Sequence, residues 1–153
     1  MAKLVDRAAC IIFCKKGNLV YTPLVKYSFK DIYDIPRGGF DKDKDKNLIQ
    51  TAKREIYEEL SLDITSNKLY KVGEYEEWHR NRKSGVMLHY VIHSFVTSYP
   101  HLQKLKPKDS NEISFAKWIE YSNAIRYLYD CKNFPPIKQL YLAYLVALRY
   151  KLI

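Results

Sequence analysis

The chain has 153 residues, 47% of them hydrophobic and 28% charged, a composition that is typical of one folded domain and excludes a disordered segment. Its 26 Lys and Arg outnumber 17 Asp and Glu, and the net charge of +9 favours a phosphate-rich partner, although a compositional bias toward Lys explains part of the excess equally well. No apolar run reaches the ~18 residues of a membrane span. The first residues lack the apolar core of a signal peptide, so we predict an intracellular, cytoplasmic protein with no membrane partner.

The apolar pattern alternates strands with helices along the chain. It starts with a continuous apolar run and a Gly-containing hairpin turn, and one central and two C-terminal helices follow among later strands. The predicted strands cover residues 7–14, 19–27, 32–35, 68–78, 86–99 and 113–119. The predicted helices cover residues 48–60, 121–128 and 137–151. Strands before, between and after helices indicate a mixed β-sheet covered by helices, an α/β fold, in a single domain over residues 1–153.

The helix predicted at residues 48–60 carries three glutamates on one side. At 100° per residue, Glu55, Glu58 and Glu59 fall within an arc of about 100° that borders the apolar stripe of the same helix. Like charges at this spacing destabilise a helix, and partial burial adds to that cost. A divalent cation such as Mg²⁺ or Mn²⁺ would offset the repulsion, because both prefer clustered carboxylate oxygens. The alternative is an ordinary solvated helix face.

Two glycines lie shortly upstream, directly after the strand predicted at residues 32–35. At Gly38 and Gly39 the lack of a side chain allows backbone N–H groups to approach an anion closely. We expect a larger residue at Gly39 to block that approach and to exclude a left-handed backbone. A strand, a Gly-Gly loop and an acid-rich helix together are suited to binding a phosphate and a metal ion.

Residues 36–39 (PRGG) and 54–60 (REIYEEL) together resemble the signature of the Nudix hydrolase (MutT-like) family. The family pattern is Gly, five residues, Glu, seven residues, then Arg-Glu-apolar-any-Glu-Glu-any-Gly-apolar. Three departures occur: the loop between Gly39 and Arg54 is one residue longer, Lys46 stands at the upstream Glu position with Asp45 beside it, and Ser61 replaces the last Gly. All three helix carboxylates are retained, so we do not expect an inactive enzyme.

The resemblance implies a Nudix-type α/β/α sandwich and an enzyme that hydrolyses the phosphoric anhydride bond of a nucleoside diphosphate linked to another group, with Mg²⁺ or Mn²⁺ as cofactor. By position in the motif, the metal ligands would be Glu55, Glu58 and Glu59. Arg54, Gly38 and Gly39 would have structural and orienting roles. The catalytic carboxylates would be Glu58, Glu59 and Glu112, and the general base is left open between a helix glutamate and Glu112.

The basic segment before the strand predicted at residues 86–99 is a second candidate binding region. Arg37, Arg80, Arg82 and Lys83 would bind substrate phosphates, although exposed basic residues are most often simply solvated. If they bind, the nucleotide-type substrate carries more phosphates than ADP-ribose: a dinucleoside polyphosphate, a diphosphoinositol phosphate or a 5′-capped RNA, which would make the chain an RNA-decapping candidate. Two alternatives are a catalytically weakened Nudix-fold module that binds nucleotide or RNA, and a nucleic-acid-binding protein without hydrolase activity. The oligomeric state is left open.

Overall fold

A computed structural model describes residues 2–153. Within that range the strands are β1 (Lys3–Lys16), β2 (Leu19–Tyr27), β3 (Tyr33–Asp34), β4 (Arg37–Gly39), β5 (Tyr70–Arg80), β6 (Met87–Ser98) and β7 (Ile113–Glu120). The helices are α1 (Leu48–Leu60), α2 (Tyr121–Asp130) and α3 (Pro135–Arg149). None of these three helices is long and apolar enough to cross a membrane.

Strand β1 lies at the centre of a seven-stranded sheet. It pairs in parallel with β6, from Lys3 opposite Leu88 to Phe13 opposite Ser98. It also pairs antiparallel with β2 through a hairpin turn and with the short strand β4. Strand β5 extends the sheet beyond β6, and β3 and β7 both pair with β2. Parallel and antiparallel pairs in one sheet confirm the predicted mixed sheet.

The helices cover both faces of the sheet, because β1 places apolar side chains on each face in turn. Ala8, Cys10 and Ile12 pack in one core with Ala52 and Ile56 of α1. The residues between them pack in a second core with α2 and α3, whose members include Ala9, Ile11, Phe13, Ala124, Leu128, Leu140 and Ala143. A strand buried on both faces explains the continuous apolar run in the sequence. The predicted α/β/α sandwich is therefore confirmed.

Several predicted boundaries differ from the observed ones: β1 covers Lys3–Lys16 rather than 7–14, β5 covers Tyr70–Arg80 rather than 68–78, and α2 continues to Asp130. Two further differences have a clear physical reason. Arg37–Gly39, expected to be a loop, is the strand β4; its two glycines give it little strand propensity, and pairing with β1 stabilises it. Helix α3 begins at Pro135 rather than at residue 137, because proline is favoured in the first turn of a helix. Helix α1 has the predicted bounds.

Candidate active site

Helix α1 presents its glutamates at the surface of the core because its apolar stripe fixes the rotation of the helix. Ile56 and Leu60 are fully buried in the core. Glu55 and Glu59 lie next to that stripe and are consequently only 8% and 1% exposed. The side chain of Glu58 is 43% exposed. Two of the three predicted ligands are therefore buried carboxylates, and the third faces solvent.

The guanidinium of Arg54 connects the loop before α1 with the carboxylates of the helix. It donates hydrogen bonds to both carboxylate oxygens of Asp45 and to the carbonyl oxygen of Gly39, each at 2.9 Å. It also donates to Glu55 at 2.9 Å and to Glu58 at 3.3 Å. The hydrogen bonds from Arg54 are the main reason that the pKa of Asp45 is lowered to about 2. One guanidinium thus faces three carboxylates, with Asp45 as its partner in the loop.

The carboxylate of Glu59 is held by Tyr27 at the end of β2. The Tyr27 hydroxyl oxygen lies 2.9 Å from both carboxylate oxygens, and the backbone N–H of Arg37 donates to one of them at 3.1 Å. Burial raises the pKa of Glu59 well above its ordinary value, and the charge of Glu55 adds to the increase. Sequence reasoning missed Tyr27, because it lies 32 positions from Glu59 and belongs to no motif.

Gly38 lies directly against Glu55. A Cβ atom at Gly38 would lie 2.0 Å from the carboxyl carbon of Glu55, whereas a Cβ at Gly39 would have no atom within 4 Å. Gly39 does not have a left-handed backbone, so that reason for requiring glycine at position 39 is wrong. The part of Gly39 that contacts the site is its carbonyl oxygen, which Arg54 binds. A side chain at position 38 would therefore displace the carboxylate of Glu55 from its place.

Glu112 approaches the cluster from the turn that precedes β7. The N–H of Ser28 donates to the carbonyl oxygen of Glu112 at 2.7 Å, which fixes this turn against the end of β2. Burial is the main cause that raises the pKa of Glu55 to about 7; the charges of Glu58 and Glu112 raise it further, against the opposing effect of Arg54. The charge of Glu112 also raises the pKa of Glu59. The charge of Glu112 therefore acts on two of the three glutamates of α1, Glu55 and Glu59.

The glutamate cluster suits a divalent cation because of the type of its side chains. Among residues 2–153 no three His, Cys, Asp or Glu side chains are placed as a metal-binding group. All four side chains of the cluster are carboxylates, however, and these are the ligands that a hard divalent cation prefers. Two of them are buried with a raised pKa; Arg54 opposes the charge of Glu55, and hydrogen bonds from Tyr27 and the backbone of Arg37 oppose that of Glu59. Mg²⁺ or Mn²⁺ would remove this repulsion, so the donor set suits the predicted cofactor.

A cavity of about 800 Å³, here called the basic pocket, is lined by cations from four segments of the chain. These cations are Arg7, Lys30, Arg37, Arg80, Arg82 and Lys83. Arg37 is 7% exposed and pairs with Asp34 at 3.4 Å and with Glu77 at 2.7 Å, so its charge is already neutralised. The other five form no ion pair with any residue between 2 and 153. The four residues predicted to bind phosphate therefore line one pocket, which also contains Arg7 and Lys30.

The basic pocket and the carboxylate cluster are adjacent. Phe29 lines the pocket and stacks on Tyr27 with ring centres 5.8 Å apart, and Tyr27 contacts Glu59. Arg37 lines the pocket and donates its backbone N–H to Glu59. The two regions are thus connected through Phe29, Tyr27 and Arg37, although none of the four glutamates lines the pocket itself. Sequence reasoning missed Arg7, Phe29 and Lys30, because the sheet brings them to the pocket from positions far from the motif.

A family model described as the NUDIX domain matches residues 3–140. The chain belongs to the NUDIX family. The family that the sequence motif predicted is therefore confirmed. The chain is also 30% identical over 122 residues to the uncharacterised protein C14C4.10c of Schizosaccharomyces pombe. The matched region is 76% of this chain and 36% of that protein, so this Nudix chain spans about a third of the length of that relative.

Solved structures with the same fold include one in complex with ADP ribose and one of an Ap4A hydrolase. The NUDIX domain of Shewanella oneidensis NrtR complexed with ADP ribose superimposes with a TM-score of 0.68, at 18% identity, over 91% of this chain and 86% of that chain. An Ap4A hydrolase from C. elegans, in a binary complex, superimposes with a TM-score of 0.64, at 19% identity, over 94% of this chain and 98% of that chain. At these identities the likeness concerns the fold.

Proposed function

We propose that this Nudix chain is a metal-dependent pyrophosphohydrolase, which cleaves the diphosphate linkage of a nucleoside diphosphate joined to another group. The observation that carries the proposal is the cluster of Glu55, Glu58, Glu59 and Glu112, with which Arg54 is the only cation between residues 2 and 153 to form an ion pair. Buried negative charge is destabilising unless a cation pairs with it. The same charge would repel a free diphosphate, so a cation is also needed before such a substrate can approach.

In this proposal Glu55, Glu58 and Glu59 hold Mg²⁺ or Mn²⁺. When bound, the metal polarises the phosphate oxygens and acidifies water. Arg54 orients Glu55 and Glu58 by donating to both, and it holds the carbonyl of Gly39 beside them. These contacts keep the end of β4 and the carboxylates of α1 in a constant arrangement.

The general base in this proposal is either a glutamate of α1 or Glu112. Glu112 is exposed on its turn, and its charge already acts on Glu55 and Glu59. If Glu112 is the base, Glu112→Gln lowers kcat and leaves metal affinity unchanged. If the base is a glutamate of α1, its replacement lowers both kcat and metal affinity, because that glutamate is also a metal ligand.

The substrate that this site fits best is rich in phosphate. Arg7, Lys30, Arg80, Arg82 and Lys83 offer five unpaired cations within one pocket beside the carboxylates. The related folds named above bind ADP ribose in one case and are called an Ap4A hydrolase in the other. We therefore propose a dinucleoside polyphosphate, a diphosphoinositol phosphate or a 5′-capped RNA, in which additional phosphates would occupy the basic pocket.

The test is a screen of these substrates and of ADP-ribose with Mg²⁺ or Mn²⁺. We expect metal-dependent release of phosphate or a nucleoside monophosphate, and none in EDTA. Glu58→Gln and Glu59→Gln should each lower turnover more than about 100-fold while the fold is kept, since even outer-shell changes at metal sites lower activity roughly 10–100-fold. The matched control is Glu76→Gln, on an exposed glutamate of β5, which should keep wild-type turnover. Wild-type rates in both α1 variants would contradict the metal site.

A catalytically weakened module that binds nucleotide or RNA is the second candidate. The contact of both Glu59 carboxylate oxygens with Tyr27 favours it, because a ligand glutamate would have to leave that contact or share it with the metal. Binding of nucleotide or single-stranded RNA in EDTA, with no turnover of any substrate in the screen after metal is added, would support this alternative over hydrolysis.

A further inference from the structure

Helix α3 is apolar on nearly all of its sides. Among its 15 residues only Lys138, Gln139 and Arg149 carry an amide or a charge. One side of the helix packs into the second core through Leu140, Ala143 and Ala147. A helix that is apolar all round is normally buried on every side. The side of α3 that faces away from the sheet therefore has the composition of a contact surface.

That outer side carries a stripe of exposed side chains, here called the α3 stripe. Phe134, just before the helix, and Tyr141, Leu145 and Leu148 are 51%, 56%, 45% and 49% exposed, and Lys138 lies among them. At 100° per residue these five positions fall within an arc of about 80° on the side opposite the core. Their spacing alternates four and three residues, which is the heptad spacing of a seam between two helices.

The α3 stripe is large enough for a specific contact. Tyr129 of α2 extends it, because its exposed ring packs edge-on against Phe134 with centres 5.7 Å apart. Half-exposed aromatic and leucine side chains of this size offer about 100 Å² each, so five of them give about 500 Å². Two such surfaces would bury about 1,000 Å², the lower limit for a specific protein–protein interface.

The charges around the stripe decide between a second helix and a lipid surface. A helix that lies in a lipid surface has a wide polar face rich in Lys and Arg. On α3 the face opposite the stripe is core, and the two basic residues, Lys138 and Arg149, lie together along one margin. The heptad spacing matches another helix, and a second copy of α3 supplies the same spacing in a self-complementary two-fold contact.

We propose that the α3 stripe is a self-association surface through which two copies of this chain pack helix against helix. The stripe lies on the opposite side of the sheet from α1, so the inference does not depend on the proposed hydrolysis. Each copy carries a net charge of +9, which opposes the pairing. Salt screens that repulsion, so the dimer should become more stable as the salt concentration rises.

Sedimentation velocity on the full chain, at about 1 μM to about 1 mM, covers the affinities expected of a small interface. We expect a monomer–dimer equilibrium whose Kd falls as salt is added. Leu145→Asp should raise the Kd at least about tenfold, because an unpaired carboxylate would be buried. Lys138→Leu removes a charge from the stripe and should lower the Kd. The matched control is Leu19→Asp, at an exposed leucine of the β1–β2 hairpin, which should leave the Kd unchanged.

Three results would overturn the proposal. The first is a wild-type chain that stays monomeric at every concentration and salt level. The second is a dimer whose Kd is the same in the wild type and in a Leu145→Asp variant that circular dichroism shows to be folded. If Leu145→Asp unfolds, the proposal is overturned instead by a Lys138→Leu variant whose Kd is no lower than that of the wild type. The third is binding of a monomeric chain to phosphatidylserine vesicles that Leu145→Asp abolishes, which would assign the stripe to a lipid surface.

Discussion

At the scale of single residues, the candidate site depends on small features next to the glutamates. Gly38 leaves the space that the carboxylate of Glu55 occupies. Asp45 binds Arg54 from the loop before α1. It lies one position before Lys46, which occupies the place of the upstream glutamate in the family pattern. Neither residue is a proposed metal ligand. Gly38 nevertheless determines where the ligand Glu55 lies, and Asp45 determines where the guanidinium of Arg54 lies.

Gly38→Ala should separate activity from stability. The new Cβ would lie 2.0 Å from the end of the Glu55 side chain, which is flexible and can move away. We therefore expect the free energy of unfolding to fall by about 1 kcal/mol, the lower end of the usual cost of overpacking, but turnover to fall at least about tenfold, since Glu55 leaves its place. Gly39→Ala is the matched control, because a Cβ there meets no atom within 4 Å. Full turnover in Gly38→Ala, measured beside urea unfolding, would show that the position of Glu55 is unimportant.

Asp45→Asn should lower stability at neutral pH and alter the acid side of the stability profile. Hydrogen bonds from Arg54 lower the pKa of Asp45 from 3.8 to about 2, so the folded protein binds fewer protons here than the unfolded chain. The resulting stabilisation is present above about pH 4 and is lost as the pH falls from about 4 to about 2. We expect Asp45→Asn to lower the free energy of unfolding by about 2 kcal/mol at pH 7.

Urea unfolding between pH 2 and pH 7 measures this effect. The difference between wild type and Asp45→Asn should shrink toward pH 2, where about half of the Asp45 carboxylates are protonated in the folded wild type. Asp43→Asn, on an exposed aspartate of the same loop, is the control and should change the profile little. A constant difference across the whole pH range would contradict the ion pair as its cause.

At the scale of elements, the end of α1 is closed by a distant loop rather than by a glycine. Ser61 has a left-handed backbone (φ 58°, ψ 32°), and its hydroxyl donates to the carbonyl oxygen of Lys106. The N–H of Lys106 donates to Leu60 at 3.1 Å, and the N–H of Lys108 donates to the carbonyl of Glu58 at 2.8 Å. The segment 106–108 thus holds the turn of α1 that carries two of the proposed ligands.

Replacing Ser61 should distinguish the strain of its backbone from the bond made by its hydroxyl. Ser61→Ala keeps the left-handed backbone and loses the bond to Lys106, so we expect a loss of about 1 kcal/mol. Ser61→Gly loses the same bond but relieves a strain of about 1 kcal/mol, so its stability should stay close to that of the wild type. Chemical denaturation measures both. If Ser61→Ala is as stable as the wild type, the hydroxyl contributes nothing to holding the loop.

Much of the element level was predictable from the sequence, because it depends on local pattern. The bounds of α1 and the side on which its glutamates lie follow from a period of 3.6, and the buried run of β1 follows from its continuous apolar residues. Strand β4 was not predictable, since its three residues have poor strand propensity and are held by pairing with β1. The contact between Tyr27 and Glu59 joins two elements that share no pattern. The burial of Arg37 likewise depends on Asp34 and Glu77, one of them 40 positions away.

At the scale of the whole molecule, the positive charge is unevenly placed around the candidate site. Five unpaired cations line the basic pocket, while the glutamate cluster beside it carries the opposite charge. A polyphosphate that spans both regions would meet cations at one end and the proposed metal ligands at the other. Charge reversal in the pocket should therefore act on the long substrates more than on the short one.

Reversing Arg80, Arg82 and Lys83 to glutamate should raise the KM for a dinucleoside polyphosphate more than the KM for ADP-ribose, because the additional phosphates meet the changed charges. The effect should shrink as salt rises, since these residues are exposed and their charges are screened. Steady-state kinetics at two salt concentrations measures both. Reversal of the exposed Lys15, Lys16 and Lys104 changes the net charge equally outside the pocket and is the control. Equal effects of the two triple variants would assign the result to net charge.

The parallel ladder between β1 and β6 sets the order in which this chain can fold during synthesis. Each of its eleven residue pairs joins positions 85 apart. Until Ser98 has left the ribosome, β1 can therefore pair fully only with β2 and β4. The apolar run at residues 8–14 also waits for α3, the last helix to be made, before its second face is covered. Non-local parallel pairs form slowly and leave apolar strands open to aggregation. A chain released from a ribosome that stalls between β5 and β6 would lack β6, so one edge of its central strand β1 would have no strand to pair with.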